Sequence, residues 1–138
     1  MERTVRYSRK REAILNAIRN TDCHPSAEWV YKQLKPCHPD LSLGTVYRNL
    51  AFFQRAGQVK SVGVVRGQER FDAVTTPHSH FVCSSCGTIL DLPEIYPEEG
   101  WERTVSAQYG FTVERCELIF HGECPNCQNQ NFKEEALS

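Results

Sequence analysis

The segment Ser42–Gly57, SLGTVYRNLAFFQRAG, decides the fold of the first half of the chain. Ser42 can cap a helix and Gly57 can end it. Inside that helix one apolar stripe recurs at helical spacing: Leu43, Val46, Leu50 and Phe53. At 100° per residue the opposite face is centred on Arg48, with Thr45 toward that face and Tyr47 at its flank. The segment therefore predicts a helix that packs on a small core and presents Arg48 outward.

Two more helices are predicted upstream, and a hairpin downstream. Ser8 can cap the first helix, with apolar residues Ile14, Ala17 and Ile18. Ser26 can cap the second, with Trp29, Val30 and Leu34 on one side. After Gly57, apolar and polar residues alternate in two segments, 58–65 and 69–72, which predicts two strands joined by a turn at 66–68. Three helices followed by a β-hairpin are typical of a winged helix-turn-helix.

The charge distribution favours a nucleic-acid partner for this half. Residues 1–70 carry 13 Lys/Arg and 6 Asp/Glu, whereas residues 71–138 carry 3 and 11. With the third helix in a major groove, Arg48 could contact a base edge or a phosphate, supported by Thr45, Tyr47 and Asn49. The predicted phosphate contacts are Arg6, Arg9, Lys10, Arg11, Lys60 and Arg66. The alternative is a small helical domain with a solvated basic face.

Composition points to an ordinary globular chain. It has 138 residues, 40% hydrophobic and 24% charged, with no apolar run near 18 residues and no apolar core behind the charged N-terminus. We therefore expect a cytoplasmic protein with no membrane partner. Residues 128–138 are predicted to be a polar tail.

The second half contains two Cys-x-x-Cys motifs. Cys83-Ser-Ser-Cys86 and Cys124-Pro-Asn-Cys127 are separated by 37 residues, a pattern that predicts a tetrahedral four-thiolate Zn²⁺ site. Unligated thiols or a disulfide are the plain alternatives. A rubredoxin-like iron site for electron transfer is a rival, although Gln128 stands where that pattern would have Gly.

The stretch His78–Cys83, HSHFVC, is predicted to be a strand. On a strand His78 and His80 share a face, and Cys83 starts on the other. The four thiolates complete one site, so the two imidazoles belong to a second site or to a solvated edge. Possible partners are His24, Asp72 and Asp91, but spacing alone does not assemble the five.

Five motifs in matching order make the chain resemble the Fur family of metal-dependent repressors, from about residue 8 to 127. They are Cys23–Ala27 (CHPSA), Gly44–Leu50 (GTVYRNL), Arg70–Asp72 (RFD), His78–Gly87 (HSHFVCSSCG) and Gly122–Cys127 (GECPNC).

The resemblance implies an α+β fold: a winged helix-turn-helix domain, residues 1–72, followed by a small α/β dimerisation domain, residues 73–138, with structural Zn²⁺ on the four cysteines. It implies a homodimer on inverted-repeat, double-stranded operator DNA. The resemblance further implies a regulator with no small organic substrate, and not an enzyme. It also implies a regulatory Fe²⁺ or Mn²⁺ site made of His24, Asp72, His78, His80 and Asp91. Such a nitrogen and oxygen ligand set suits those metals.

Two details resemble the peroxide-sensing branch of that family. Asp72 stands where iron-sensing members more often have Glu, and Asp91 falls at that branch's fifth ligand. The resemblance then implies that bound iron reacts with H₂O₂, oxidises His24 or His78, and leaves the site so that repression ends. The competing function is a Fur-type sensor of iron, manganese or zinc level.

Overall fold

The computed structural model describes the backbone of residues 2–129 and the side chains of residues 9–129. It divides into two compact units, Met1–Thr76 and Pro77–Ser138. The division follows Thr76, four residues beyond the boundary proposed at 72. Most of the predicted tail, residues 130–138, lies outside the described residues. Within residues 2–129 no helix is both long and apolar enough to cross a membrane.

The first unit is a winged helix-turn-helix. Its elements in chain order are α1 (Glu2–Arg19), α2 (Ala27–Leu34), α3 (Leu43–Arg55), β1 (Lys60–Val65) and β2 (Gln68–Asp72). Ser26 and Ser42 cap α2 and α3, as predicted, by accepting hydrogen bonds from the backbone N–H groups of Trp29 and Thr45. The core is apolar and takes residues from every element except β1: Ile14, Leu15, Ile18, Ala27, Val30, Leu41, Val46, Leu50, Phe53, Val59 and Phe71.

The prediction that Ser8 caps the first helix is wrong, because α1 already begins at Glu2. The segment from Glu2 to Arg11 contains neither Pro nor Gly, so nothing in it stops the helix from extending toward the N-terminus. A serine inside such a run is tolerated, and its type alone does not locate the helix start.

The hairpin of the first unit turns at Arg66 and Gly67. Both residues have positive φ, 53° and 78°, and Val65 pairs with Gln68. This is the two-residue turn whose twist matches that of paired strands. At the other end of the hairpin Lys60 pairs with Asp72, which fixes Asp72 at the last position of β2.

The second unit is built on a three-stranded sheet of order β4-β3-β5. Its elements are β3 (Ser79–Cys83), β4 (Ile89–Leu92), α4 (Trp101–Tyr109) and β5 (Ile119–Gly122). β3 pairs antiparallel with β4 and parallel with β5. The sheet sets the positions of the two Cys-x-x-Cys motifs, which we call the knuckles. The first begins at Cys83, the last residue of β3, and the second begins at Cys124, just after β5.

Candidate metal centres and DNA-binding surface

The four knuckle cysteines form one cluster in the second unit. Their sulfur atoms all lie within 4.8 Å of one another. Cys83 Sγ is 3.7 Å from Cys127 Sγ, and Cys86 Sγ is 3.8 Å from Cys124 Sγ. Tetrahedral Zn²⁺ with Zn–S bonds of about 2.3 Å places its sulfur ligands about 3.8 Å apart. The predicted four-cysteine site therefore has the size that Zn²⁺ requires.

The backbone around the cluster stabilises thiolate at Cys83. Its sulfur accepts hydrogen bonds from the N–H groups of Cys124, at 3.3 Å, and Cys86, at 3.5 Å. These two bonds lower the pKa of Cys83 to about 6. A hydrogen bond with the Thr88 hydroxyl lowers the pKa of Cys86. Thiolate is the form that binds metal, so the chain favours metal binding at these two sulfurs.

The pKa of Cys127 is shifted in the opposite direction. Its hydrogen bond to the Cys124 sulfur raises its pKa to about 12. Four adjacent thiolates would repel one another, so at least one sulfur keeps its proton until a cation neutralises the cluster. A divalent cation removes that repulsion, which is the electrostatic reason for a metal here.

The first unit brings together two of the predicted regulatory ligands. His24 Nε2 lies 3.4 Å from Asp72 Oδ2, and both side chains are buried. The other oxygen of Asp72 accepts the N–H of Val74 at 2.8 Å, which orients the carboxylate. We call this pair the His24–Asp72 half-site.

The second unit brings together the other three. Asp91 Oδ1 lies 3.1 Å from His78 Nε2 and 3.2 Å from His80 Nε2. His80 pairs with Asp91 across β3 and β4, and the centroids of the His78 and His80 rings are 4.4 Å apart. The two rings therefore lie side by side, although β3 begins at Ser79 and leaves His78 just outside the predicted strand. This is the Asp91 half-site.

Both half-sites have the spacing of metal ligands. With bonds of about 2.1 Å to nitrogen or oxygen, neighbouring ligand atoms of one ion lie about 3 Å apart. The distances of 3.1 to 3.4 Å within each half-site meet that condition. Imidazole and carboxylate groups are ligands that suit Fe²⁺ or Mn²⁺, whereas the four thiolates of the cysteine cluster suit Zn²⁺.

The exposed face of α3 carries three of the predicted DNA contacts. Arg48 is exposed, and its Nη2 donates to Thr45 Oγ1 at 3.1 Å. Tyr47 is 45% exposed, and its hydroxyl donates to Glu28 Oε1 at 2.6 Å. A Cβ on residue 44 would lie 3.2 Å from Arg48 Nη1, so Gly44 leaves room for this arginine. The face is ordered by its own hydrogen bonds and remains open to a partner.

Asn49 is not part of that exposed face, and its burial argues against the predicted DNA contact. Its side chain is only 1% exposed. It accepts a hydrogen bond from Arg11 Nε at 3.1 Å and donates to the Thr45 carbonyl at 2.9 Å. Asn49 lies one residue from Arg48, and the helix turns it toward α1.

Arg11 has a structural role that the sequence did not indicate. Besides its bond to Asn49, its guanidinium lies 3.8 Å from the centre of the Phe52 ring. Its phosphate contact stays a prediction, as do those of Arg9, Lys60 and Arg66. Lys10 forms an ion pair with Asp40 at 3.0 Å. The side chain of Arg6 lies outside the described residues.

Two residues near these sites were missed by sequence reasoning. Glu28 holds the Tyr47 hydroxyl, and this hydrogen bond lowers the pKa of Glu28 and raises that of Tyr47. Arg70 donates to the backbone carbonyl groups of Cys23 and His24. Both contacts join residues that are 19 or more positions apart, so no pattern of neighbouring residues in the sequence predicts them.

Comparisons with known proteins agree with these features. The model of the "Ferric uptake regulator family" matches residues 2–121. The peroxide operon regulator of Bacillus subtilis (strain 168) is 36% identical over 130 residues, covering 94% of this chain and 88% of the relative. The peroxide-responsive repressor PerR of Staphylococcus aureus (strain USA300) is 34% identical over 127 residues, covering 91% of this chain and 84% of the relative. The crystal structure of the Campylobacter jejuni peroxide stress regulator has a TM-score of 0.72 at 25% identity, covering 91% and 94% of the two chains. The resemblance inferred from the five motifs is confirmed: the chain belongs to the ferric uptake regulator family.

Proposed function

We propose that this protein is a metal-dependent, peroxide-responsive transcriptional repressor. It binds inverted-repeat operator DNA as a homodimer in the cytoplasm. The observation that carries the proposal is the pair of half-sites with metal-ligand spacing, one in each unit, combined with an ordered and exposed α3 face. The similarity to two curated peroxide-responsive regulators supports the peroxide branch.

The two half-sites would supply one regulatory Fe²⁺ or Mn²⁺ with five ligands: His24, Asp72, His78, His80 and Asp91. Because two ligands come from the first unit and three from the second, binding would hold the DNA-binding unit in one orientation. A dimer would then present two α3 helices about 34 Å apart, the spacing of successive major-groove half-sites. Switching such an equilibrium from 1:99 to 99:1 requires about 5.5 kcal/mol of preference for the closed form.

Peroxide sensing would occur at the same ligands. Bound Fe²⁺ would supply the one-electron chemistry by which H₂O₂ adds oxygen to an imidazole, at His24 or His78. An imidazole oxidised on its ring is a poor donor, so the half-site that contains it would lose affinity. In the Asp91 half-site, the carboxylate holds His78 and His80 side by side, which keeps both rings close to any metal bound there.

The second unit offers the surface for a homodimer. None of the residues of α4 is buried, although Trp101, Val105 and Tyr109 lie along it. Strand β5 is an edge strand: among residues 2–129 it pairs only with β3, and Phe120 on it is 44% exposed. A helix with exposed apolar side chains and the free side of an edge strand both favour a second copy of the chain.

The DNA interface would consist of Arg48, Thr45 and Tyr47 on α3, with Lys60 and Arg66 of the hairpin on the phosphates. Glu28 accepts the hydrogen bond of the Tyr47 hydroxyl and so fixes the direction of the Tyr47 ring.

The test begins with Mn²⁺-loaded, Zn²⁺-containing protein and a pool of random double-stranded oligonucleotides. Selection should enrich an inverted repeat, and binding to it should be lost when the regulatory metal is removed and Zn²⁺ is retained. Asp91→Ala should behave like the metal-depleted protein, whereas Glu94→Ala, an exposed acidic residue nearby in sequence, should bind normally. The proposal would be contradicted if the selection enriched no sequence, or if DNA binding were the same with and without Mn²⁺.

A second step separates peroxide sensing from sensing of metal level. Stoichiometric H₂O₂ should abolish operator binding by the Fe²⁺-loaded protein, and fresh metal should not restore it. Full recovery on adding metal would instead indicate a sensor of metal level.

A further inference from the structure

The backbone of His24 needs support from elsewhere in the fold. Its φ is 53°, in the left-handed region that residues with a side chain rarely adopt. Among the described residues only Arg66 is another non-glycine with positive φ, and the hairpin turn accounts for that one. No turn of that kind contains His24, so its conformation must be held by contacts.

Strand β2 provides those contacts. Arg70 Nη2 donates to the Cys23 carbonyl at 2.7 Å, and Arg70 Nε donates to the His24 carbonyl. The next residue, Phe71, donates its backbone N–H to the Pro25 carbonyl at 2.9 Å. Three successive carbonyl groups before α2 are thus bound by two successive residues of β2. We call this set the Arg70 clamp.

The residue that follows in β2 is Asp72, the second ligand of the half-site. Its position relative to His24 is therefore set by the same short strand that carries the clamp. The 3.4 Å separation of His24 Nε2 and Asp72 Oδ2 depends on β2 lying against residues 23–25.

We infer that Arg70 is a positioning residue of the His24–Asp72 half-site: its guanidinium holds the His24 backbone in the conformation that places the imidazole beside Asp72. The planar guanidinium fits this task because it donates to two carbonyl groups at once, which a lysine ammonium on a flexible stem does not reproduce. The inference rests on the proposed function in one respect, that this half-site binds the regulatory metal.

The clamp also joins that half-site to the hairpin. β1 and β2 form the wing, with Arg66 at its tip and Asp72 at its base. A metal that fixes His24 and Asp72 therefore fixes the base of the wing, and DNA that orders the wing orders the half-site. By thermodynamic linkage, each ligand must then raise the affinity of the other by the same factor.

The experiment compares wild type, Arg70→Lys, Arg70→Gln and the control Arg55→Gln, which removes an exposed arginine at the end of α3. Affinity for Mn²⁺ is measured by electron paramagnetic resonance on protein that retains Zn²⁺. We expect about tenfold weaker binding for Arg70→Gln, a smaller loss for Arg70→Lys, and no change for the control, since residues that orient metal ligands typically contribute 10- to 100-fold. Zn²⁺ content should stay the same in all four.

Hydrogen exchange of the Phe71 amide, without Mn²⁺, gives a readout that does not depend on metal. The amide should exchange faster in both Arg70 variants than in wild type and control. If Arg70→Gln fails to fold, Arg70→Lys carries the comparison alone. Unchanged exchange of Phe71, or unchanged Mn²⁺ affinity in the variants when His24→Ala abolishes it, would overturn the inference. If His24→Ala leaves Mn²⁺ binding intact in an otherwise normal protein, the proposed metal site fails, and the Phe71 exchange rates still decide whether Arg70 holds the loop.

Discussion

Replacing Asn49 with alanine should destabilise the DNA-binding unit without removing a DNA contact. The side chain accepts one hydrogen bond from the charged Arg11 and donates one to the Thr45 carbonyl. A hydrogen bond to a charged group contributes about 1.5–3 kcal/mol and a neutral one about 0.5–1.5 kcal/mol. Alanine recovers roughly 0.6 kcal/mol through its higher helix propensity. The expected loss in the free energy of unfolding is therefore about 1.5–4 kcal/mol.

Urea denaturation of the Zn²⁺-containing chain, followed by circular dichroism, measures this loss. Gln54→Ala, at an exposed position of the same helix, is the control and should change stability by less than about 0.5 kcal/mol. Operator affinity should be measured at low temperature, where both variants are folded, and should be similar in the two. A base contact would give the reverse: unchanged stability and roughly 1–3 kcal/mol of lost affinity for DNA. That result would refute the structural role of Asn49.

Three further predictions concern DNA, zinc and the dimer. Arg48→Ala should weaken operator binding at least about fivefold in fluorescence anisotropy, and the exposed Arg19→Ala should change it little; equal effects would exclude the α3 face. The affinity for Zn²⁺, measured by competition with a chelator, should fall as pH falls, and more steeply below about pH 6. The pKa of Cys83 is lowered to about 6, so below that pH this sulfur also takes up a proton that competes with the metal. A pH dependence whose slope does not change near pH 6 would contradict this. Val105→Glu should convert the dimer to monomer in sedimentation analysis, whereas the neighbouring surface change Gln108→Glu should not; a Val105→Glu dimer would place the interface away from α4.

Local chemistry made much of this fold predictable. The caps at Ser26 and Ser42, the hairpin turn after Val65 and the strand around His80 each depend on a few consecutive residues, and the structure has all three. The two Cys-x-x-Cys knuckles are also local, and their chemistry implied that they meet.

Other features depended on contacts between distant segments. Asn49 was predicted to support Arg48 at the DNA, because the sequence of α3 could not show that Arg11 of α1 would bind this side chain. In the Arg70 clamp, Arg70 binds carbonyl groups that precede it by 46 and 47 positions in the chain. Every residue has a backbone carbonyl group, so the sequence does not indicate which ones are bound. The start of α1 was misplaced because a serine, although favoured at a helix cap, is also tolerated inside a helix, so its presence alone does not locate the start.

The most direct test of the account is peptide mass spectrometry after a brief, limited exposure of Fe²⁺-loaded protein to H₂O₂, with Mn²⁺-loaded protein as the control. The tryptic peptides Asn20–Lys32 and Phe71–Arg103 contain His24 and His78. We predict one added oxygen on His24 or His78, only in the iron-loaded sample and in step with loss of operator binding. Intact histidines with operator binding unharmed, or oxidation confined to cysteine, would contradict the peroxide-sensing mechanism.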